Sequence, residues 1–269
     1  MVDHPYYEHP PVIERVMSVY AEVSEELFES RFEAWKAIVQ REYPIYEPLK
    51  EWLIMVKEKE GIPLFDTIEP ELRITPRFSK KRAAEGFDWS MRCPAGQFTM
   101  NMHSNPQQGS ERRYRNLRTE FAEWLPKWLN HFSIESPKRV SIEYVNLINH
   151  QTLPDFTQPG RILLDQVLTV FAQIPGDHEA LVQPYECKAT VLLRGREKAT
   201  MRIEVKDWSK PEHGVGVRLD LAVVAHIFEG DTNSGALVNV IDWCHDRIID
   251  RFEVVFTPKA KAAFKRVDA

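Results

Sequence analysis

The chain has 269 residues, 43% of them hydrophobic and 28% charged, with a formal net charge of −5. That is chain enough for a sizeable core, too apolar for disorder, and too acidic for a dedicated duplex-binding surface. Cys93, Cys187 and Cys244 lie far apart with no C-x-x-C pair, which reads as reduced, buried thiols in a cytoplasmic protein. The opening MVDHPYYEHPPV is neither basic nor apolar enough for a signal peptide, no run reaches membrane-span length, and no membrane partner is expected.

In chain order, residues 12–23 alternate through Ile13, Met17, Val19, Ala21 and Val23, which predicts a strand. Ser24 then caps a helix with Glu25 and Glu26 in its first turn and a stripe of Phe28, Phe32, Trp35 and Val39. Leu49, Trp52, Leu53 and Val56 predict a second helix over 48–59, stopped by Gly61. Residues 72–78 read as an edge strand, since Pro76 cannot donate to a ladder. Pro94-Ala95-Gly96 joins strands over 87–93 and 97–104 into a hairpin, and 105–110 is a polar loop. A third amphipathic helix spans 112–132, kinked or divided at Pro126.

The segment RVSIEYVNLINH, 139–150, is a strand, and 162–171 is apolar and helical in character. Three strands follow, over 185–193, 198–208 and 216–228. The strongest helical signal comes last. Leu237, Val240, Ile241, Cys244, Ile248, Phe252 and Val255 form one stripe behind an Asn233 or Ser234 cap. Thr257-Pro258 ends that helix and starts a short one. A stripe about five turns long needs a large apolar partner, and a sheet supplies it. The fold class is therefore α+β: mostly antiparallel sheet covered by amphipathic helices, with the long C-terminal helix packed on the sheet. The chain reads as a single compact unit, with two similar α+β halves, about 10–108 and 109–269, as the alternative division; no residue-level repeat is visible.

No nucleophile motif, phosphate-binding glycine loop or zincin pattern occurs, and only 11 glycines are present, so no cofactor is expected and binding ranks above catalysis. Two basic clusters flank the 87–104 hairpin: Arg77, Lys80, Lys81 and Arg82, then Arg112, Arg113, Arg115 and Arg118. Brought together they would take an anionic ligand, a nucleotide or single-stranded nucleic acid, with Tyr114 or Trp89 for stacking; apart, they are ordinary solvated charge. Asp242, His245 and Asp246 share one side of the last helix at a spacing that suits a metal ion, as a hydrolase or nuclease would use it. The alternative is an acidic edge that pairs with Arg247 or Arg251. Tyr144 and Asn146 share one face of the central strand, opposite Glu143 and Val145, and read as hydrogen-bonded structural polars. The surplus of Trp and Phe allows a third reading, an apolar pocket beneath the helices.

Pro10, Pro11 and Val12, then Tyr144, Val145 and Asn146, then His245, Phe252, Glu253 and Thr257 together resemble a sporadically distributed bacterial family with no assigned activity. The resemblance spans nearly the whole chain. It implies an accessory role, and the basic clusters add the expectation that the chain recognises a protein partner or an anionic ligand. One position departs from it: Glu143 stands where the family commonly carries arginine.

Overall fold

The computed structural model describes residues 6–52, 55–59, 62–66, 72–82, 87–104, 113–158, 161–172, 186–208 and 215–267. The first part of the chain forms β1 (Tyr6–Tyr7), β2 (Val12–Tyr20), α1 (Glu25–Val39), β3 (Ile45–Trp52), β4 (Met55–Lys59), β5 (Ile62–Asp66), β6 (Leu72–Arg82), β7 (Phe87–Arg92), β8 (Gln97–Ser104) and α2 (Arg113–His131). The second part forms β9 (Arg139–Asn149), β10 (Thr157–Gln158), β11 (Arg161–Ile162), α3 (Leu164–Val167), α4 (Thr169–Ala172), β12 (Glu186–Leu192), β13 (Ala199–Asp207), β14 (Gly216–His226), α5 (Ser234–Val255), α6 (Pro258–Ala263) and β15 (Arg266–Val267).

Nine of these strands make one antiparallel sheet in the order β12-β13-β14-β9-β2-β8-β7-β6-β3. Strands β2 and β9 lie side by side at its centre. Outward from them the order runs β14, β13, β12 on one side and β8, β7, β6, β3 on the other, so the two wings mirror each other except for β3 at the second edge. Helix α5 lies on β14 and β9, α2 lies on β8 and β2, and the two helices touch. The sheet is thus α+β with its long C-terminal helix on one face, and the apolar stripe of α5 is buried against it from Leu237 to Phe252. Helix α1 closes on α2 through Phe28 stacked on Phe132 and Trp35 edge-on to Trp124.

The capping chemistry fixes three helix starts. Ser24 accepts from the Leu27 amide, Asn233 from Ala236 and Thr257 from Ala260, each satisfying a donor with no partner inside the helix. Among the described residues no helix is long and apolar enough to cross a membrane.

Five expectations need correction, one of them in part. Residues 48–59 are strands β3 and β4, not a helix: Leu49 and its neighbours pair with β6, and the sheet contact outweighs their helical spacing. Strand β6 is not an edge, since it pairs with both β3 and β7; Pro76 sits just past the Arg77–Arg92 pairing, where its carbonyl accepts from the Cys93 amide at 3.1 Å and its ring leaves no return bond. Helix α2 runs through half-buried Pro126 without a break, which removes the division expected there as one of two outcomes. The 162–171 stretch gives two single turns, α3 and α4, instead of one helix. Cys93 and Cys244 are buried as expected, but Cys187 is exposed on β12, the far edge of the sheet. The polar loop 105–110 lies outside the described residues.

Candidate functional site

Arg15, Met17 and Val19 project from one face of β2, because alternate residues of a strand do. Met17 and Val19 are fully buried there. Arg15 occupies the same buried face at 6% exposure, between Met102 of β8 and Tyr144 of β9. The cross-sheet row continues to Trp89 on one side and Leu221 on the other, all of them buried.

A guanidinium in such a row needs partners, and Arg15 has few. Its Cζ lies 5.1 Å from the centroid of the Tyr144 ring. Its Nε and Nη1 are buried with no hydrogen-bond partner. Among the described residues no carboxylate pairs with it. Burial pulls its pKa down from 12.5, against the opposing influence of Tyr144. Nearby on the same face, fully buried Asn146 donates its Nδ2 to the Leu219 and Tyr144 carbonyls at 3.0 and 3.3 Å, and its Oδ1 has no partner.

The helices hold a second layer above this row. Tyr144 Oη lies 2.8 Å from His245 Nδ1. Burial pushes the Tyr144 phenol up to about 12, so it stays a phenol at neutral pH. The His245 ring lies flat on Tyr114 of α2, centroids 3.5 Å apart and planes 8° from parallel. The Tyr114 hydroxyl donates to Asp242 Oδ1 at 2.6 Å, and Arg118 Nε and Nη2 grip both oxygens of Asp242 at 2.7 Å. Burial and the Asp242 contact raise the Tyr114 phenol far above its ordinary value. This packing of α2 against α5 fixes His245, which orients Tyr144, which carries Arg15.

The residues singled out from sequence fall in different places. Asp242 has both oxygens bonded by Arg118 and Tyr114, and His245 has Nδ1 on Tyr144. Asp246 is half-buried on the same helix, and Arg247 pairs with Asp250 at 3.2 Å. Among the described residues no group of three His, Cys, Asp or Glu could hold a metal ion. Of the basic clusters, Lys80 is buried against Glu120 and over the Tyr43 ring, Arg118 is on Asp242, and Arg77 is 4.0 Å from Glu47. Arg115 is exposed. Arg112 and the side chains of Lys81, Arg82 and Arg113 lie outside the described residues. Sequence reasoning passed over Arg15 and the open acceptor of Asn146. The signal for the first was present: Arg15 interrupts the alternation of Ile13, Met17 and Val19 on the face that must be buried.

The other face of the sheet matches its charges in place. Arg202 is 2% exposed and bonds Glu143 at 3.0 Å and Glu204 at 3.4 Å. Lys206 spans Glu204 and Asp220 at 2.9 and 3.3 Å, and Arg218 meets Asp220 at 2.7 Å. Glu143, the departure from the family resemblance, therefore pairs with a cation of its own sheet. The β4–β5 hairpin, an extension of β3 and β6, reaches β13 and β14 in the other wing.

No family model matches the chain, and no curated protein matches its sequence. Among solved structures it is similar to the di-domain ARO/CYC StfQ from the steffimycin biosynthetic pathway, at 11% identity over 93% of this chain and 97% of that one, with a TM-score of 0.18. A likeness that distant carries no argument about either fold or function.

Proposed function

We propose that the protein is a binding module for an anionic ligand, and that the ligand is held at Arg15 beneath α2 and α5. The observation that carries this reading is a buried guanidinium with Nε and Nη1 unbonded and no described counter-ion. Desolvating a cation costs several kcal/mol unless a partner offsets it. The fold bears that cost at the centre of its sheet while neutralising nearby cations: Lys80 has Glu120 and Arg118 has Asp242. A site that keeps one cation open in this way suits a ligand that brings the missing charge. The anion class anticipated from the basic clusters is kept; the residue that binds it is a different one. We place the protein in the cytoplasm on the same footing, with its three cysteines unpaired.

The test is a thermal-shift panel of carboxylates, phosphate and nucleotides, run on the native chain and on Arg15→Met. Stabilisation by an anion in the native chain and none in Arg15→Met is the expected result. Equal shifts in both proteins, or none in either, would refute the reading.

A further inference from the structure

Two buried polar ends stand open on the same face of the sheet, and they are of opposite kind. Arg15 offers hydrogens at Nε and Nη1, and Asn146 offers the Oδ1 acceptor; the two residues are 6% and 0% exposed. Their relation follows from the register. Arg15 stands opposite Tyr144, and Asn146 lies two residues further along β9 on the same face, opposite Val12. The two residues thus sit on adjacent strands and on one face, their pairings separated by a register shift of β2 between Val12 and Glu14. The amide is not free to turn over and hide its oxygen, because Nδ2 is already committed to two backbone carbonyls.

The charge around the pair is also defined. Tyr144 from β9 and Met102 from β8 flank Arg15, and beyond Tyr144 the contacts run through His245 of α5, whose ring stacks on Tyr114 of α2, to the Asp242–Arg118 pair. Asp242 and Arg118 cancel, and the two tyrosines are phenols. Among the described residues the charge of Arg15 is therefore matched by no carboxylate. A single anionic group neutralises it, whereas a dianion would leave a net negative charge away from water.

We infer that the ligand is a monoanionic carboxylic acid that also carries an O–H or N–H donor, its carboxylate held by Arg15 and its donor by Asn146 Oδ1. This rests on the anion-binding reading above and narrows it to a class. Such a ligand satisfies both open ends at once, where a simple carboxylate leaves the amide oxygen unpaired.

The experiment compares three probes with one ring: 4-hydroxybenzoate, 4-methoxybenzoate and phenyl phosphate, titrated calorimetrically at pH 8, where a phosphate monoester with its second pKa of about 6 is dianionic. In the native chain 4-hydroxybenzoate should bind roughly tenfold more tightly than 4-methoxybenzoate, the fold-change expected of one hydrogen bond to a buried acceptor. Asn146→Leu should remove that preference while leaving 4-methoxybenzoate affinity within about twofold, and Arg15→Met should abolish binding of both. Retained 4-methoxybenzoate binding shows that Asn146→Leu is folded, and an unchanged far-ultraviolet circular dichroism spectrum does the same for Arg15→Met. If that variant binds neither acid, the inference is overturned. It is also overturned if the preference survives Asn146→Leu, or if phenyl phosphate binds most tightly in an Arg15-dependent way; the last result would leave the anion-binding reading standing. Absence of any Arg15-dependent binding would overturn both.

Discussion

At the scale of single residues, Arg15 separates a binding role from a structural one. A structural arginine stabilises the empty fold; one kept open for a ligand destabilises it. Its contact with the Tyr144 ring contributes on the order of 1 kcal/mol, less than the several kcal/mol that an uncompensated buried cation costs. Arg15→Met, which fills similar volume without charge, is therefore expected to raise the stability of the ligand-free chain by about 1–3 kcal/mol in urea unfolding. A loss of stability would show that the guanidinium holds the fold together. Glu143 gives a second test, through pH. Burial raises its carboxyl above 4.5, with Arg202 opposing and Asp220 and Glu14 reinforcing. A carboxyl raised on folding binds its proton more tightly in the folded state, so its contribution is complete below 4.5 and is lost as pH rises through the raised value. Glu143→Gln cannot titrate, and its melting temperature relative to the native chain should climb as pH goes from 4 towards 7, a climb that differential scanning at a series of pH values would reveal or deny. Arg15 was legible as an exception in an alternating pattern; the missing partners of Asn146 were not, because they depend on which carbonyls of β14 and β9 approach its Nδ2.

At the scale of elements, local chemistry predicted most boundaries and long-range pairing decided the rest. Ser24, Asn233 and Thr257 are caps by residue type, and each caps a helix. Residues 48–59 carry an apolar spacing that fits a helix equally well, and it is pairing that makes strands there, β3 with β6 and β4 with β5. Strand β6 lies beyond a connection whose course no local pattern reveals. The β7–β8 hairpin is the opposite case, since Gly96 marks it in the sequence. Its φ of +73° lies in the left-handed region, and a Cβ added there would sit 2.5 Å from the Ala21 carbonyl oxygen. That carbonyl belongs to the residue whose amide bonds Gly96 O at 2.8 Å, so the turn is tied to the end of β2 from both directions. Gly96→Ala therefore combines backbone strain with a backbone clash and should cost about 2–3 kcal/mol, a fall of roughly 5–10 °C in melting temperature. An unchanged melting temperature would mean that this turn can relax away from β2.

At the scale of the whole molecule, the sheet's mirrored wings raise the question of whether they are separable. The sequence suggests a division near residue 108, with no linker to mark it. In the structure that cut falls before α2, which lies on β8 and β2, so it strips the first wing of the helix that covers it. A cut between α2 and β9, within 132–138, keeps each wing with its own helix but parts β2 from β9, opening two central strands whose inner faces carry Met17, Val19, Val140 and Ile142. Unpaired edges with apolar faces are poor folding units and strong pairing surfaces. Arg15 would also leave Tyr144, so the proposed site exists only when both wings are joined. The expected behaviour is one cooperative thermal transition for the intact chain, and fragments 1–135 and 136–269 that melt without cooperativity alone yet form a 1:1 complex on mixing. Anion binding should return with that complex and be absent from each fragment. Two independent transitions in the intact chain, or a single fragment that binds anions through Arg15, would show that the seam between β2 and β9 joins two finished domains and that the site needs only one of them.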